Sequence, residues 1–229
     1  MFSFRAPAAL LLPLCLIASS ATAISLSDLS NQDVNGGLRA ALEQGSLAAV
    51  GKLGVENGFL NNDKVRIPLP TILEQVRPLL KMTGRGHMLD ELEVAMNHAA
   101  EAAVPMAKPL LLDAVKSMSI TDARNILTGG DTSVTDFFRE RTAAKLSVKF
   151  SPIVKSVTDR SDLAAKYNST MDQVAKLGLL KQQATVEDYV TQRTLDGLFI
   201  MIGEEEKAIR TDPISTGSKI LSKVFGALQ

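Results

Sequence analysis

The pattern of hydrophobic and polar positions is most informative between Thr185 and Pro213. A helix over residues 195–203 would be apolar around nearly its whole circumference, which is typical of a helix enclosed by other helices. These nine residues are too few to span a bilayer, so enclosure by protein is the better interpretation. Thr185 and Asp188 have the spacing of a capping box, and Pro213 provides a stop. The sequence therefore predicts a core helix over about residues 186–211.

The rest of the chain shows the helical period of three to four residues and no convincing strand pattern. Residues 55–70 are interpreted as an irregular connector from which Val65 and Ile67 could pack inward. The further helices predicted are 30–42, 46–53 after a break at Gln44 and Gly45, 71–82, 87–118 with a kink or break at Pro105 and Pro109, 119–128, 133–150 with Pro152 bending or interrupting the path, 161–177 and 215–228. The expected fold is all-α: one compact multi-helix domain around the helix 186–211.

The same periodicity predicts core positions and helix caps. Asp131 or Thr132 is expected to cap the helix that begins at Ser133. Core candidates are Ile72, Leu73, Val76, Leu79 and Leu80 in one helix, a stripe of Leu92, Met96, Ala99, Ala103, Met106, Leu110 and Ala114 in the next, and Leu198, Phe199 and Ile202 in the central helix.

Residues 1–23 have the three parts of a secretory signal peptide. Arg5 gives a positive start, an apolar stretch follows, and residues 21–23 form an Ala-Thr-Ala cleavage site. A lipid anchor on Cys15 is disfavoured because Leu14 stands where a small residue is needed. We therefore expect cleavage after Ala23, a mature helical domain over residues 24–229, and a periplasmic location.

Composition excludes several classes of function. The single cysteine lies in the predicted leader, so the mature chain can form no disulfide and has no thiolate for metal binding or catalysis. The leader holds one of the 25 basic residues and none of the 25 acidic ones, which leaves a net charge of −1. This balance does not favour nucleic-acid binding. No apolar run after the leader is long enough for an integral membrane segment.

Several segments, in this order, resemble one bacterial family. They are IPLP (67–70), MNHAAEAAVPMAKPLL (96–111), DAVKSM (113–118), DARNILTGGDTSVTDFFRERT (122–142) and DYVTQRTLDGLF with EEEKAIRTDP (188–213). The chain resembles an exported, helical protein family of unknown function over nearly its whole mature length. The resemblance implies an exported, helix-rich, periplasmic protein and carries over no catalytic residue.

The first candidate site is the helical segment around Asn97 and Glu101. His98 and Glu101 are neighbours on a helix and could begin a metal site, but such sites need three or four ligands. His87 is roughly 16 Å away along the axis. Asn97 and Glu101 fall opposite the apolar stripe, together with Lys108. A solvated face or a polar contact with a neighbouring helix is therefore the favoured interpretation.

The second candidate is the turn of residues 128–132, Thr-Gly-Gly-Asp-Thr, before a helix. Glycines ahead of a helix N-terminus can present N–H groups to an anion. A C-cap followed by an N-cap explains the same residues, and the carboxylate of Asp131 would repel a phosphate. The structural interpretation is favoured.

The third candidate is a polar set beside the predicted core: Arg139, Asp196, Glu205 and Arg210, with Asp136 nearby. Asp196 interrupts an apolar run, so it is expected near the interior with an arginine partner. Paired carboxylates could perform acid–base chemistry, but structural ion pairing is the favoured interpretation. The candidate ligand- or partner-binding residues are thus Asn97, Glu101, Asp131, Arg139, Asp196, Glu205 and Arg210, and no catalytic residue, metal or cofactor is predicted.

Three functions remain open at this point. The first is a non-catalytic binding or scaffolding protein of the cell envelope, with an envelope protein as partner. The second is a carrier of an apolar ligand, suggested by adaptable methionines such as Met96 and Met201. The third is an enzyme that uses the Asp/Glu/Arg set.

Overall fold

The computed structural model describes residues 31–176 and 185–212, and the side chains of residues 35–169 and 185–212. The predicted leader, the connector after residue 177 and the predicted helix 215–228 lie outside these residues. The described ranges form eight α-helices and no β-strand. The helices are α1 (Asn31–Leu53), α2 (Thr71–Met82), α3 (His87–Ala103), α4 (Ala107–Lys116), α5 (Ile120–Thr128), α6 (Ser133–Thr158), α7 (Asp162–Lys176) and α8 (Val186–Thr211). The all-α prediction is confirmed.

The core helix α8 begins and ends where the sequence predicts. The Thr185 side chain accepts a hydrogen bond from the Asp188 N–H, and the Asp188 side chain accepts one from the Thr185 N–H. Leu198, Phe199 and Ile202 are buried as expected. Ile200 is 44% exposed, so enclosure on every side is not observed. α8 packs mainly between α6 and α1, with α3 and α7 also in contact.

Gly197 allows the connector between α1 and α2 to approach α8 closely. A Cβ atom at this position would lie 2.6 Å from Cε1 of Phe59 and 3.3 Å from Cβ of Val65. Both of these side chains are buried, as is Ile67 further along the connector. The connector therefore packs inward without forming a strand, as the sequence predicted.

We expect Gly197→Ala to destabilise the protein although alanine is the better helix former. The gain in helix propensity is about 1 kcal/mol, whereas overpacking a buried site costs typically about 1–3 kcal/mol. Gly36→Ala in α1 is the matched control, because nothing lies within 4 Å of its added Cβ atom. Denaturant unfolding of both variants measures the difference, and equal stabilisation by the two changes would contradict the close approach at Gly197.

The predicted break at Gln44 and Gly45 is absent, and Pro152, predicted to bend or interrupt the path, does not interrupt α6. α1 continues through Gln44 and Gly45, where an added Cβ atom would lie 3.4 Å from Cδ1 of Ile209 and 3.5 Å from Cβ of Glu205 on α8, which are ordinary packing distances. α6 continues through Pro152. A predicted break is confirmed at Pro105, which lies in a short 3₁₀ turn between α3 and α4.

Some predicted core positions are exposed. In α2 only Leu73 is buried, whereas Ile72, Val76, Leu79 and Met82 are exposed along one side of the helix. Met106 is exposed because the 3₁₀ turn changes the register of the apolar stripe that α3 begins. Local periodicity identified an apolar face in both cases, but only packing decides how much of that face a neighbouring helix covers.

The helices α5 and α6 are capped in different ways at their N-termini. At the start of α5, Ser119 and Asp122 form a capping box, and Arg141 also contacts the Asp122 carboxylate. The hydrogen bond from the Ser119 N–H is the main reason that the pKa of Asp122 lies below its ordinary value. At the start of α6, neither Asp131 nor Thr132 provides the predicted cap: Thr132 occupies the N-cap position without a side-chain bond to the backbone.

Candidate functional site

The N-terminus of α6 is capped by a carboxylate from α8. Glu206 is 3% exposed, and its carboxylate accepts hydrogen bonds from the N–H groups of Val134 and Thr135, each at 3.1 Å. Arg210 donates to the same carboxylate at 3.0 Å and to the carbonyl oxygen of Ile126 at 3.1 Å. One ion pair on α8 therefore fixes the turn between α5 and α6.

This arrangement determines what the glycine-rich turn of residues 128–132 can do. The N–H groups that would attract an anion to the start of α6 already bind the Glu206 carboxylate. Asp131 lies exposed in the turn. The turn thus has the structural role that the sequence favoured, although its cap comes from a residue more than 70 positions away.

The interpretation of Asn97 and Glu101 as a solvated face or a contact to another helix is wrong. The Asn97 side chain is buried and binds both the N–H and the carbonyl oxygen of Ile67 at 2.9 Å. Glu101 is 6% exposed and accepts hydrogen bonds from the N–H groups of Asn57, Phe59 and Leu60. Both residues lie on α3 and bind the connector that precedes α2, because its irregular backbone does not satisfy these groups with internal helical hydrogen bonds.

A third buried carboxylate joins α7 to α8. Glu187 accepts hydrogen bonds from Oγ1 of Thr158 and from Nδ2 of Asn168. The Asn168 carbonyl oxygen in turn accepts the Val186 N–H at 3.0 Å. Sequence analysis did not single out Glu187 or Glu206, because on a helical projection they resemble any other glutamate near a helix end.

The third predicted set does not converge on one cleft. Asp196 is half-exposed rather than interior; it receives a hydrogen bond from Gln192 and lies 3.9 Å from Arg139. Glu205 pairs with Lys52 on α1. Glu205 is roughly 13 Å further along α8 than Asp196, at 1.5 Å per residue, and Arg210 binds Glu206 instead. As ligand- or partner-binding residues, the seven candidates stay predictions.

An open groove of about 480 Å³ lies where the start of α3 meets the end of α6 and the start of α7. We call it the α3–α7 groove. Its lining residues are His87, Met88, Glu91, Ala95, Val157, Arg160, Ser161, Asp162 and Leu163. The volume falls within the roughly 300–1,000 Å³ that small-molecule sites occupy.

The α3–α7 groove combines an apolar wall with uncompensated charges. Met88, Ala95, Val157 and Leu163 are half-buried. The charged side chains are exposed, and within the described residues none of His87, Glu91, Arg160 and Asp162 belongs to an ion pair. Sequence reasoning missed this groove because its two sides are about 70 positions apart and carry no motif.

The described residues contain neither a metal-binding cluster nor a membrane-spanning helix. No group of three or more histidine, aspartate or glutamate side chains in the described part of the chain could hold a metal ion. None of the described helices combines the length and apolar character needed to cross a bilayer.

The comparisons with known proteins place the chain in a family but give no activity. No curated protein matches the chain, and no solved structure matches it. A family model described as "Protein of unknown function (DUF4197)" matches residues 28–226, nearly all of the chain. The resemblance to a family of unknown function is confirmed: the chain belongs to the DUF4197 family.

Proposed function

We propose that this protein is a non-catalytic binding protein of the cell envelope, exported by a signal peptide that is cleaved after Ala23, and that its ligand occupies the α3–α7 groove. The groove carries the proposal because it is large enough for a small molecule and its charges lack partners among the described residues. Unpaired charges beside an apolar wall provide both orientation and contact area for a ligand.

The buried carboxylates support a binding role over an enzymatic one. Glu101, Glu187 and Glu206 each accept several hydrogen bonds from the protein itself. A carboxylate saturated in this way stabilises the fold and has no open position toward a substrate. The Asp/Glu/Arg enzyme hypothesis also requires convergence of Asp196, Glu205 and Arg210, which contact different partners.

The apolar-carrier alternative has less support. The apolar crevice between α1, α6 and α8 has a volume of about 20 Å³, which is close to the space of one water molecule. Met96, Met118 and Met201 are buried, whereas Met82 is 86% exposed. They fill the core or lie on the surface.

A scaffolding role is a second candidate because α2 leaves Ile72, Val76, Leu79 and Met82 exposed on one side. An apolar stripe of this kind fits an apolar face of an envelope protein. Leu79→Glu should then abolish cross-linking to isolated envelope proteins, while Val148→Glu at a single exposed position on α6 should not. Cross-linking that is unchanged in Leu79→Glu would contradict this role.

The groove proposal is tested by filling the groove. A library of amino acids, short peptides, sugars and carboxylic acids is screened by NMR against the full mature chain, and the backbone signals that shift are mapped. In Ala95→Phe, the added ring projects from a half-buried groove position, and we expect roughly tenfold or greater loss of affinity for any compound that binds there.

Ala102→Phe is the matched control, because Ala102 is exposed on the same helix outside the groove. It should bind as the parent does, and both variants should melt within a few degrees of it. If no compound shifts groove signals, or if binding survives in Ala95→Phe, the proposed function is wrong.

A further inference from the structure

The charges around the α3–α7 groove have a sign pattern that restricts the ligand. One side presents Glu91 on α3, and the other presents Arg160 and Asp162 at the junction of α6 and α7. Besides His87, the groove therefore presents two carboxylates and one guanidinium. A simple anion meets two carboxylates of its own sign, and a simple diamine meets a guanidinium of its own sign.

The charged side chains that line the α3–α7 groove form no ion pairs with one another. Elsewhere on the surface, Arg77 joins Glu74 and Asp90, and Arg141 joins Asp122. Arg160 has both Glu91 and Asp162 along the same groove, yet no ion pair within 4.0 Å forms between them. The separated charges leave space between them for a molecule that carries both signs.

The groove wall adds an apolar requirement. Met88, Val157 and Leu163 are half-buried and provide apolar surface beside the charges. A guanidinium binds carboxylates through two parallel hydrogen bonds, and a carboxylate accepts from an ammonium group. An apolar side chain on the ligand would cover the wall.

From these features we infer that the α3–α7 groove binds a dipolar amino acid or short peptide with an apolar side chain. Arg160 binds the ligand carboxylate, Glu91 and Asp162 bind its ammonium group, and Met88, Val157 and Leu163 contact its side chain. The inference rests on the proposed function of the groove and specifies the chemistry of its ligand.

Four probes test the inference by calorimetric titration of the full mature chain: leucyl-leucine, its C-terminal amide, its N-acetyl derivative and putrescine. Leucyl-leucine is expected to bind, and loss of either terminal charge should weaken binding by roughly tenfold or more, as charge-assisted hydrogen bonds of this kind require. Putrescine should bind more weakly than leucyl-leucine.

Two variants test which groove residue binds each terminal charge of the ligand. Arg160→Gln should lower the affinity for leucyl-leucine but leave the affinity for its amide unchanged, so that the two compounds bind with similar affinity. Glu91→Gln should reduce the difference in affinity between leucyl-leucine and its N-acetyl derivative. Arg124→Gln on α5 is the control, because Arg124 is also exposed and lies outside the groove. This variant should bind all four probes with the affinities of the parent protein.

The outcomes separate this inference from the broader proposal. The dipolar ligand is excluded if the amide and the N-acetyl derivative bind as tightly as leucyl-leucine. It is also excluded if Arg160→Gln leaves the difference in affinity between leucyl-leucine and its amide unchanged. Groove binding by sugars or simple carboxylic acids without leucyl-leucine binding also overturns the inference, while the proposed function survives. If nothing binds in the groove, both fail.

Discussion

Phe199→Ala is expected to lower the free energy of unfolding by about 3–5 kcal/mol, as removal of a buried phenylalanine ring does. Phe199 is 1% exposed at the centre of α8, and the guanidinium of Arg139 lies 4.6 Å from its ring centroid. The change removes packing between α8 and its neighbours and leaves a cavity. A typical domain has a stability of roughly 5–15 kcal/mol, so the loss is a large part of the total. Urea unfolding measures it.

Asp196→Ala is the control on the same helix. Asp196 is half-exposed and its distance to Arg139 is 3.9 Å, which makes it a weak surface contact. We expect a change within about 0.5 kcal/mol. A Phe199→Ala protein as stable as the parent would mean that α8 is not the core helix.

Glu206→Ala is expected to destabilise the protein by a similar amount, about 3–5 kcal/mol, because it breaks a buried ion pair and leaves one partner behind. Arg210 would lose its carboxylate in a half-buried position, and the N–H groups of Val134 and Thr135 would lose their acceptor. The start of α6 should fray first. Hydrogen exchange at Val134 and Thr135 should therefore accelerate more than exchange in the centre of α6.

Glu204→Ala is the matched control for this effect. Glu204 is two residues away on α8, is exposed, and pairs with Lys64 at the surface. Its loss should cost roughly 0–1 kcal/mol, as surface ion pairs do. Equal unfolding midpoints for Glu206→Ala and Glu204→Ala would show that the buried cap contributes nothing specific.

The groove and the capping network lie in different parts of the same fold. Glu206 and Arg210 act where α8 ends, whereas Arg160 and Asp162 lie at the junction of α6 and α7. A loss of stability in Glu206→Ala is therefore separable from a loss of ligand affinity in Arg160→Gln. Stability and binding measured on the same variants distinguish fold residues from binding residues.

The sequence by itself determined the helices whose signals are local. The helix that begins after Ser119, the capping box at Thr185, the break near Pro105 and the bounds of α8 were all predicted correctly. Each depends on residues three or four positions apart, which a helix brings together without help from the rest of the chain. Burial of Phe199 followed from the same periodicity.

Only the tertiary structure decided which polar groups are buried and where a groove forms. Glu101 and Glu206 lie on polar positions of their helices, yet backbone N–H groups from more than 40 residues away surround them. The α3–α7 groove joins His87 and Glu91 to Arg160 and Asp162, which no local pattern relates. A carboxylate is buried when distant donors outweigh its loss of water, and that balance exists only after the chain has folded.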